Sequence, residues 1–575
     1  MIPPGPGARS IEPDDHRTVP TPGGSRAHEA HVAHSARLER RLYAVGDDAW
    51  CLVGNGLSNQ TFVRGPEGII AIDTGESIEE MRAALAELRA VTAEPIVAVL
   101  LTHFHYVTGT QAVLDEVAAT RGEAAAAALP IWGHAAVDAN RRRAAGEIAP
   151  TYLRGIVEQF AVTLPPDGED GIVNVGLGLS WHRAEHAPFT PGYLPPTHTF
   201  DGPTRLRLAG LDVDVTPAPS DADDSVTLWF PALGLAVHNL VWPALFNVFA
   251  IRGEEYRDPR VLVRGIDHLR SLDAEHLIAT HGPPLSGAAA NADRITRVRD
   301  AIQFLWDQTV RWTNRGATST ELADLVVLPT EYDDDYLTAQ LYGIVEHHTR
   351  QIRSGLFGFF DGDPQQLLPH APRDRSARMI EAMGGADAVR ARAALDDDLR
   401  WALELAGILS AADDATDEDR ALLATALRTV ARRTSAANIR NWCLARAREL
   451  DGTASLDRFR THRLARAQVL AAPLAETLPV LRVLVDPDRL GGIDLHLAVE
   501  IAGDRSGLHF RNSIACPTDG VGAAVTLHTD RETWADVLSG RVQLTDARTD
   551  GRITFTGDGD AAVRALAAVE LPGLR

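Results

Sequence analysis

Two histidines one residue apart, His103 and His105, stand where the apolar run of residues 96–101 gives out. Side chains at i and i+2 at the end of a strand can both turn toward one cation, and neutral imidazole is a good zinc ligand. A lone His-x-His is more often surface or core decoration, so its position has to carry the reading. The pair follows a second apolar run, GIIAIDTG at residues 68–75, with a helical stretch between the two. A cation held there would lower the pKa of a bound water to roughly 7.

The elements that must position this pair are short. RLYAVG, AWCLVG, TFVRG and GIIAIDTG read as strands, ESIEEMRAALAELRAVT as a helix and IVAVLLTH as the next strand. Paired strands followed by a strand–helix–strand unit predict an α/β layer fold. From about Thr318 the periodicity is helical, clearest in ADAVRARAALDDDLRWALELAGILSAA and EDRALLATALRTVARRTSAANIRNWCLARAREL. Residues 459–575 switch to α+β signals: LPVLRVLVD as helix, IDLHLAVEIAG, AAVTLHT and DGRITFTG as strands, and AAVRALAAVE as the closing helix. Residues 1–38, rich in Pro, Gly and charge, read as a disordered, mobile arm.

Composition narrows the chemistry. At 575 residues the chain exceeds one hydrophobic core, and 45% hydrophobic with 23% charged residues is a globular profile. The net charge of −22 argues against a nucleic-acid groove or an anionic membrane as partner. All 56 basic residues are arginine, which rules out Schiff-base, pyridoxal-phosphate and Walker-lysine chemistry. Cys51, Cys443 and Cys516 are too few and too scattered for a disulfide framework or a cysteine zinc cluster. With no apolar leader and no run long enough for a membrane span, the expectation is a soluble cytoplasmic protein.

GLSNQTFVRGPEGIIAIDTG (56–75), the strand-end His-x-His and ATHGPP (279–284) occur in the order found in metallo-β-lactamase-fold hydrolases. Within that superfamily the chain resembles the alkylsulfatases over almost everything after the arm. GYLPPTHTF (192–200) resembles their substrate loop, and FNVFAIRG (246–253) their Asn-Leu-Tyr-Thr-Leu-Arg-Gly motif. Residues 342–370 and 384–389 resemble their dimerisation domain, and 536–566 their sterol-carrier-like C-terminal domain. The resemblance implies an αββα metallo-β-lactamase sandwich over 39–317, an all-α dimerisation domain over 318–458 and an α+β sterol-carrier-like domain over 459–575. It also implies a homodimer that hydrolyses an alkyl sulfate or related ester, its substrate a small amphiphile with an alkyl chain.

The family's metal motif is Thr-His-x-His-x-Asp-His. His103 and His105 match it, but Val107 stands for the aspartate and Thr108 for the second histidine. Valine offers no lone pair and a neutral hydroxyl is a poor substitute for imidazole, so a second metal loses two ligands at once. Alignment of the strand TLWFPALGLAVHN puts Asp221 at the family's first glutamate and Asn239 at the second, with Asp223, Asp224 and His238 as rivals in register. His281 matches the family's last histidine, as a further ligand or a general acid. The implied set is His103, His105, Asp221 and His281 around one divalent ion, zinc foremost, with iron or manganese compatible. Asn247 and Arg252 match residues the family uses around sulfate, although Arg252 could instead pair with Glu254 or Glu255. Phe249 and Ala250 replace two hydroxyl-bearing family residues. His198, like His182 and His186, is a candidate in the substrate loop for protonating a departing alkoxide. Two rival readings remain: a catalytically silent carrier or sensor of a lipid-like ligand, and a carboxylic ester or lactone hydrolase of the same fold.

Overall fold

Runs of β-branched and aliphatic residues bounded by glycine set two sheets face to face. A computed structural model describes residues 5, 7–395 and 398–575. The N-terminal hairpin pairs β1 (Thr18–Pro20) with β2 (Arg26–His28). The first large sheet then runs β3 (Arg41–Val45), β4 (Ala49–Val53), β5 (Gln60–Gly65), β6 (Gly68–Ile72), β7 (Ile96–Leu100), β8 (Ile131–His134) and β9 (His198–Phe200) in spatial order. The second runs β10 (Thr204–Leu208), β11 (Leu211–Pro217), β12 (Val226–Phe230), β13 (Leu235–His238), β14 (His276–Ala279) and β15 (Leu285–Ser286). Each sheet starts as an antiparallel meander and turns parallel at a helical crossover, β6 to β7 in one and β13 to β14 in the other.

Val63, Ile70, Ile72 and Leu100 of the first sheet meet Val213, Leu228, Val237 and Ile278 of the second in a shared core. Each such side chain removed from water contributes about 1.5–3 kcal/mol. The crossover helices Ile78–Arg89 and Pro259–Ser271 have one buried face each, completing the expected αββα sandwich.

Residues 1–38 were expected to form a mobile arm, and the structure corrects this for the part it describes; residues 1–4 and 6 lie outside the described residues. The hairpin is followed by a helix, Glu29–His34, whose His31 and His34 are fully buried. Asp15 pairs with Arg432 and Arg433, and the Thr434 hydroxyl donates to the carbonyl of Ser10 at 3.1 Å. Proline and glycine content hid this, because the arm's order comes from distant partners.

Between residues 318 and 458 the helices include Val345–Phe357, Pro372–Ala382, Ala386–Leu395, Leu399–Ser410, Asp417–Arg433 and Ala437–Leu450. Both long periodic runs are therefore broken. In the second, Thr434 turns extended (ψ 139°) and lets the two halves fold back on each other around Leu427, Val430, Ile439 and Leu444. The first breaks near Asp398, which caps the following helix; residues 396–397 lie outside the described residues.

By its internal packing the chain forms two units, residues 1–138 with 155–455, and residues 139–154 with 456–575. The reading of 39–317 as one continuous domain is corrected on this point. Within the second unit, Glu147 pairs with Arg482 and its carbonyl lies 2.8 Å from His462 Nε2. The unit's sheet has the order β18-β17-β16-β19-β20, from β16 (Leu495–Ile501), β17 (Asp504–Arg511), β18 (Ile514–Thr518), β19 (Val525–His528) and β20 (Thr554–Thr556). The β17–β18 hairpin went unread because Gly507 and three charges interrupt its apolar pattern. LPVLRVLVD is a 3-10 helix over Leu478–Leu484. An open cavity of about 830 Å³ in this unit carries Ile148, Val483 and Leu571 beside Arg460, Arg463 and Arg575. Among the described residues no helix is long and apolar enough to cross a membrane.

Candidate metal centre

The loops that follow β7, β11, β13 and β14 converge on one point. Val226 N–H, at the start of β12, donates to the carbonyl of Thr102, which brings the 218–225 loop against the end of β7. His103 Nε2 then lies 3.7 Å and His105 Nδ1 2.9 Å from Asp221 Oδ2. One ligand atom from each of the three falls within 4.8 Å of the others. Asp221 is thus the carboxylate that faces the imidazoles. Asp223 is exposed, Asp224 is buried outside the trio, and His238 uses Nδ1 to accept the amides of Leu240 and Val241.

Each imidazole has one nitrogen tied from behind. His103 Nδ1 is 2.9 Å from Thr102 Oγ1, which donates at 2.6 Å to Asp73. Asp73 also accepts the Thr102 amide at 2.8 Å. His105 Nε2 faces Glu254 at 3.5 Å, and His281 Nδ1 bonds the carbonyl of Leu57 at 2.8 Å. For His103 and His105 this arrangement fixes the tautomers and leaves the other nitrogen to the centre, which is how outer partners orient metal ligands. His103 Nε2 and His281 Nε2 are buried without a hydrogen-bond partner. Burial lowers both rings to about 4, so each is neutral and carries its lone pair at ordinary pH.

Charge around the centre is already paired. Burial would raise Asp221, but Arg257, with His105 and His103, outweighs it and holds the carboxyl well below its ordinary range. Arg257 also donates to the Asp221 carbonyl at 3.0 and 3.2 Å and to that of Asn247 at 2.6 Å. Arg252 pairs with Glu254 at 2.5 Å, which keeps Glu254 ionised against the effect of burial. The ion pair that sequence offered as an alternative for Arg252 is therefore present.

One divalent ion fits these residues: buried lone pairs converge with a carboxylate. A second does not. Val107 is fully buried, Thr108 is engaged through its amide with Gly75, and Asn239 is held between Ser225 and the Trp242 indole. Tyr106 stands edge-on to both His103 and His281, with ring centroids 5.3 and 5.4 Å away. His281 lies outside the close trio, with its ring against Tyr106. Gly109 lets this loop close, since a Cβ there would collide with the carbonyl of Thr74.

The remaining sequence candidates divide. Asn247 is fully buried and neither side-chain polar atom has a partner; Gly343 makes room for it, because any Cβ there would strike its Oδ1. Arg252 is at the site, one ion pair from His105 through Glu254. His198 is corrected: it is exposed on the edge strand β9, stacked on Trp132, two strands away from β7. Sequence reasoning missed Tyr106, Glu76 and Arg257. The Trp181 indole donates to Glu76 at 2.6 Å, and burial and Glu80 push Glu76 upward. The usable signal for Arg257 was the charge-dense run 252–257 directly after the apolar stretch 240–251.

Two facing sheets with His-x-His at the end of the first parallel strand define a metallo-β-lactamase-superfamily protein. The superfamily model matches residues 53–194, and the alkyl sulfatase dimerisation model matches residues 318–453. A linear primary-alkylsulfatase of Pseudomonas sp. (strain ATCC 19151) is 32% identical over 529 residues, 86% of this chain and 97% of that protein. The chain belongs to the alkylsulfatase family. An (R)-specific secondary-alkylsulfatase of Pseudomonas sp. is 28% identical, covering 92% of this chain and 80% of the relative. Among solved structures, the stereoselective inverting sec-alkylsulfatase Pisa1 from Pseudomonas sp. superposes with a TM-score of 0.81 at 24% identity, covering 100% of this chain and 93% of that one. That likeness speaks to the fold.

Proposed function

We propose that this chain is a metal-dependent sulfate-ester hydrolase acting on an amphiphilic alkyl sulfate at a mononuclear centre. The observation that carries this is the convergence of His103 Nε2, His105 Nδ1 and Asp221 Oδ2 within 4.8 Å, each ring tied from behind, in a chain of the alkylsulfatase family. His103, His105 and Asp221 would hold one divalent ion, zinc foremost, with His281 as a fourth ligand or proton carrier. Such an ion supplies Lewis acidity that activates water and polarises the ester. Arg252 and Asn247 present a planar cation and an unpartnered amide for sulfate oxygens. His281, neutral with its Nε2 open, is placed to take up or return a proton. The helical region makes the protein a homodimer. The second unit, read as sterol-carrier-like, offers its arginine-rimmed cavity to the alkyl chain. Three scattered cysteines that form no disulfide framework suit a reducing, cytoplasmic compartment.

Pairing of Asp221 with Arg257 and of Glu254 with Arg252 favours a second reading, a metal-free carrier, because both carboxylates are neutralised without a cation. Phe249 and Ala250 in place of hydroxyls keep the carboxylic-ester reading open as a third. Elemental analysis of purified protein, with release of sulfate from decyl sulfate and of acid from a decanoate ester, separates them. One ion per chain and sulfate release lost in His103→Ala support the proposal. No bound ion and no turnover would select the carrier; acid release alone would select the esterase.

A further inference from the structure

A second concentration of charge lies where the N-terminal segment meets the helices Asp417–Arg433 and Ala437–Leu450. Arg440 is 1% exposed there. Its Nη2 donates to the Gly171 carbonyl at 2.9 Å and the Ser25 hydroxyl at 3.4 Å, while Nε and Nη1 have no partner. Its nearest candidate counter-charge, Asp170, has both oxygens taken by Arg428 at 2.8 Å. A guanidinium cannot shed its proton, and a buried, uncompensated cation is strongly disfavoured.

Arg440 lines a cavity of about 310 Å³ with Arg26, Arg428 and Arg432, facing Asp15, Glu169 and Asp170. Two of these carboxylates are already shared: Asp15 also pairs with Arg433, and Asp170 has Arg448 at 3.8 Å. Arg428 reaches one further carboxylate, Asp451, at 2.6 Å. Six guanidinium groups thus stand against four carboxylates, a local surplus of two in a chain of net charge −22. The surplus, the unpartnered N–H groups and the volume match one chemistry. A tetrahedral dianion accepts several forked N–H donors at once and neutralises two charges.

We propose that this cavity binds a small tetrahedral oxyanion, sulfate or phosphate, with Arg440 as the buried anchor and Arg26 at its exposed side. The ion ties the N-terminal segment to the two helices, so it stabilises the first unit. This site is separate from the imidazole cluster and stands whether or not the chain hydrolyses sulfate esters.

The test is thermal melting of full-length protein in sodium sulfate, sodium phosphate or sodium chloride at equal ionic strength. It is run in an Arg252→Gln background to remove sulfate binding at the candidate active site. Sulfate or phosphate at a hundred times its Kd is expected to raise the melting temperature by about 3–6 °C over chloride. Arg440→Gln should abolish that rise and Arg26→Gln should weaken the apparent affinity about tenfold. A response to either oxyanion supports the site, and their ratio tells a reaction product from free phosphate. Equal melting in all three salts overturns the proposal, as does a rise that survives in Arg26→Gln at unchanged affinity. The exposed Arg26 keeps the test open if Arg440→Gln does not fold.

Discussion

Arg257→Met isolates what holds Asp221 ready. The carboxylate and the guanidinium are both nearly buried, at 5% and 6% exposure. Removing one member of a buried ion pair costs about 3–5 kcal/mol, because the other charge is left without compensation. Arg257 also serves the Asp221 and Asn247 carbonyls, and losing those bonds adds about 1 kcal/mol each. The metal-free variant should therefore lose about 5–7 kcal/mol, several degrees of melting temperature. A divalent ion on Asp221 supplies the missing positive charge. Zinc should then return most of the loss in the variant, while adding only about 2.7 kcal/mol to the parent at a hundredfold excess over Kd. Scanning fluorimetry with and without zinc, after chelation and dialysis, measures both differences. An equal destabilisation with and without zinc would refute the reasoning, since Asp221 would then face no cation.

Glu254→Gln removes the carboxylate behind His105 and should weaken metal affinity about 10–100-fold, read by competition with a chromophoric chelator, and it should also lower stability because Arg252 loses its buried partner. Val107→Asp with Thr108→His and Asn239→Glu should raise metal stoichiometry from one to two ions per chain; mass spectrometry still reading one would show that Tyr106 fills that space. Buried His34, His238 and His348, lowered to about 4, 3 and 3, stay neutral in the folded chain while the unfolded chain takes up protons below pH 6.5. Their folded values lie below the unfolded one, so stability is full above pH 6.5 and declines by about 1.4 kcal/mol per histidine per pH unit toward pH 4. Urea midpoints at pH 7.5, 6 and 5 should fall in that order, and a flat profile would contradict the burial of these rings.

Much of the sandwich was legible because its strands are short, apolar and bounded by glycine: GIIAIDTG and IVAVLLTH became β6 and β7 with His103 directly after. The aspartate at 221 could be aligned but not chosen over 223 and 224, because a loop has no period; the contact of Val226 with Thr102 makes the choice. Glu254 acts on His105, 149 positions earlier, and Arg257 on Asp221, 36 positions earlier, so the charged run 252–257 shows that charges are present there but not which residues they serve. His198 was read from the company of its loop, whereas pairing with β8 carries it to the sheet edge. The N-terminal segment looked unstructured because its order depends on arginines 432 and 433, at the far side of the sequence.

Residues 139–154 pack with a unit whose other members begin at 456. During synthesis this strip leaves the ribosome roughly 300 residues before its partners, a wait on the order of 15–60 s at ordinary elongation rates. Through that interval the strip lacks the partners it has in the folded second unit, such as Arg482 and His462 for Glu147. A protein cut at 455 would keep this orphaned strip permanently, and residues 456–575 expressed alone would present the matching scar.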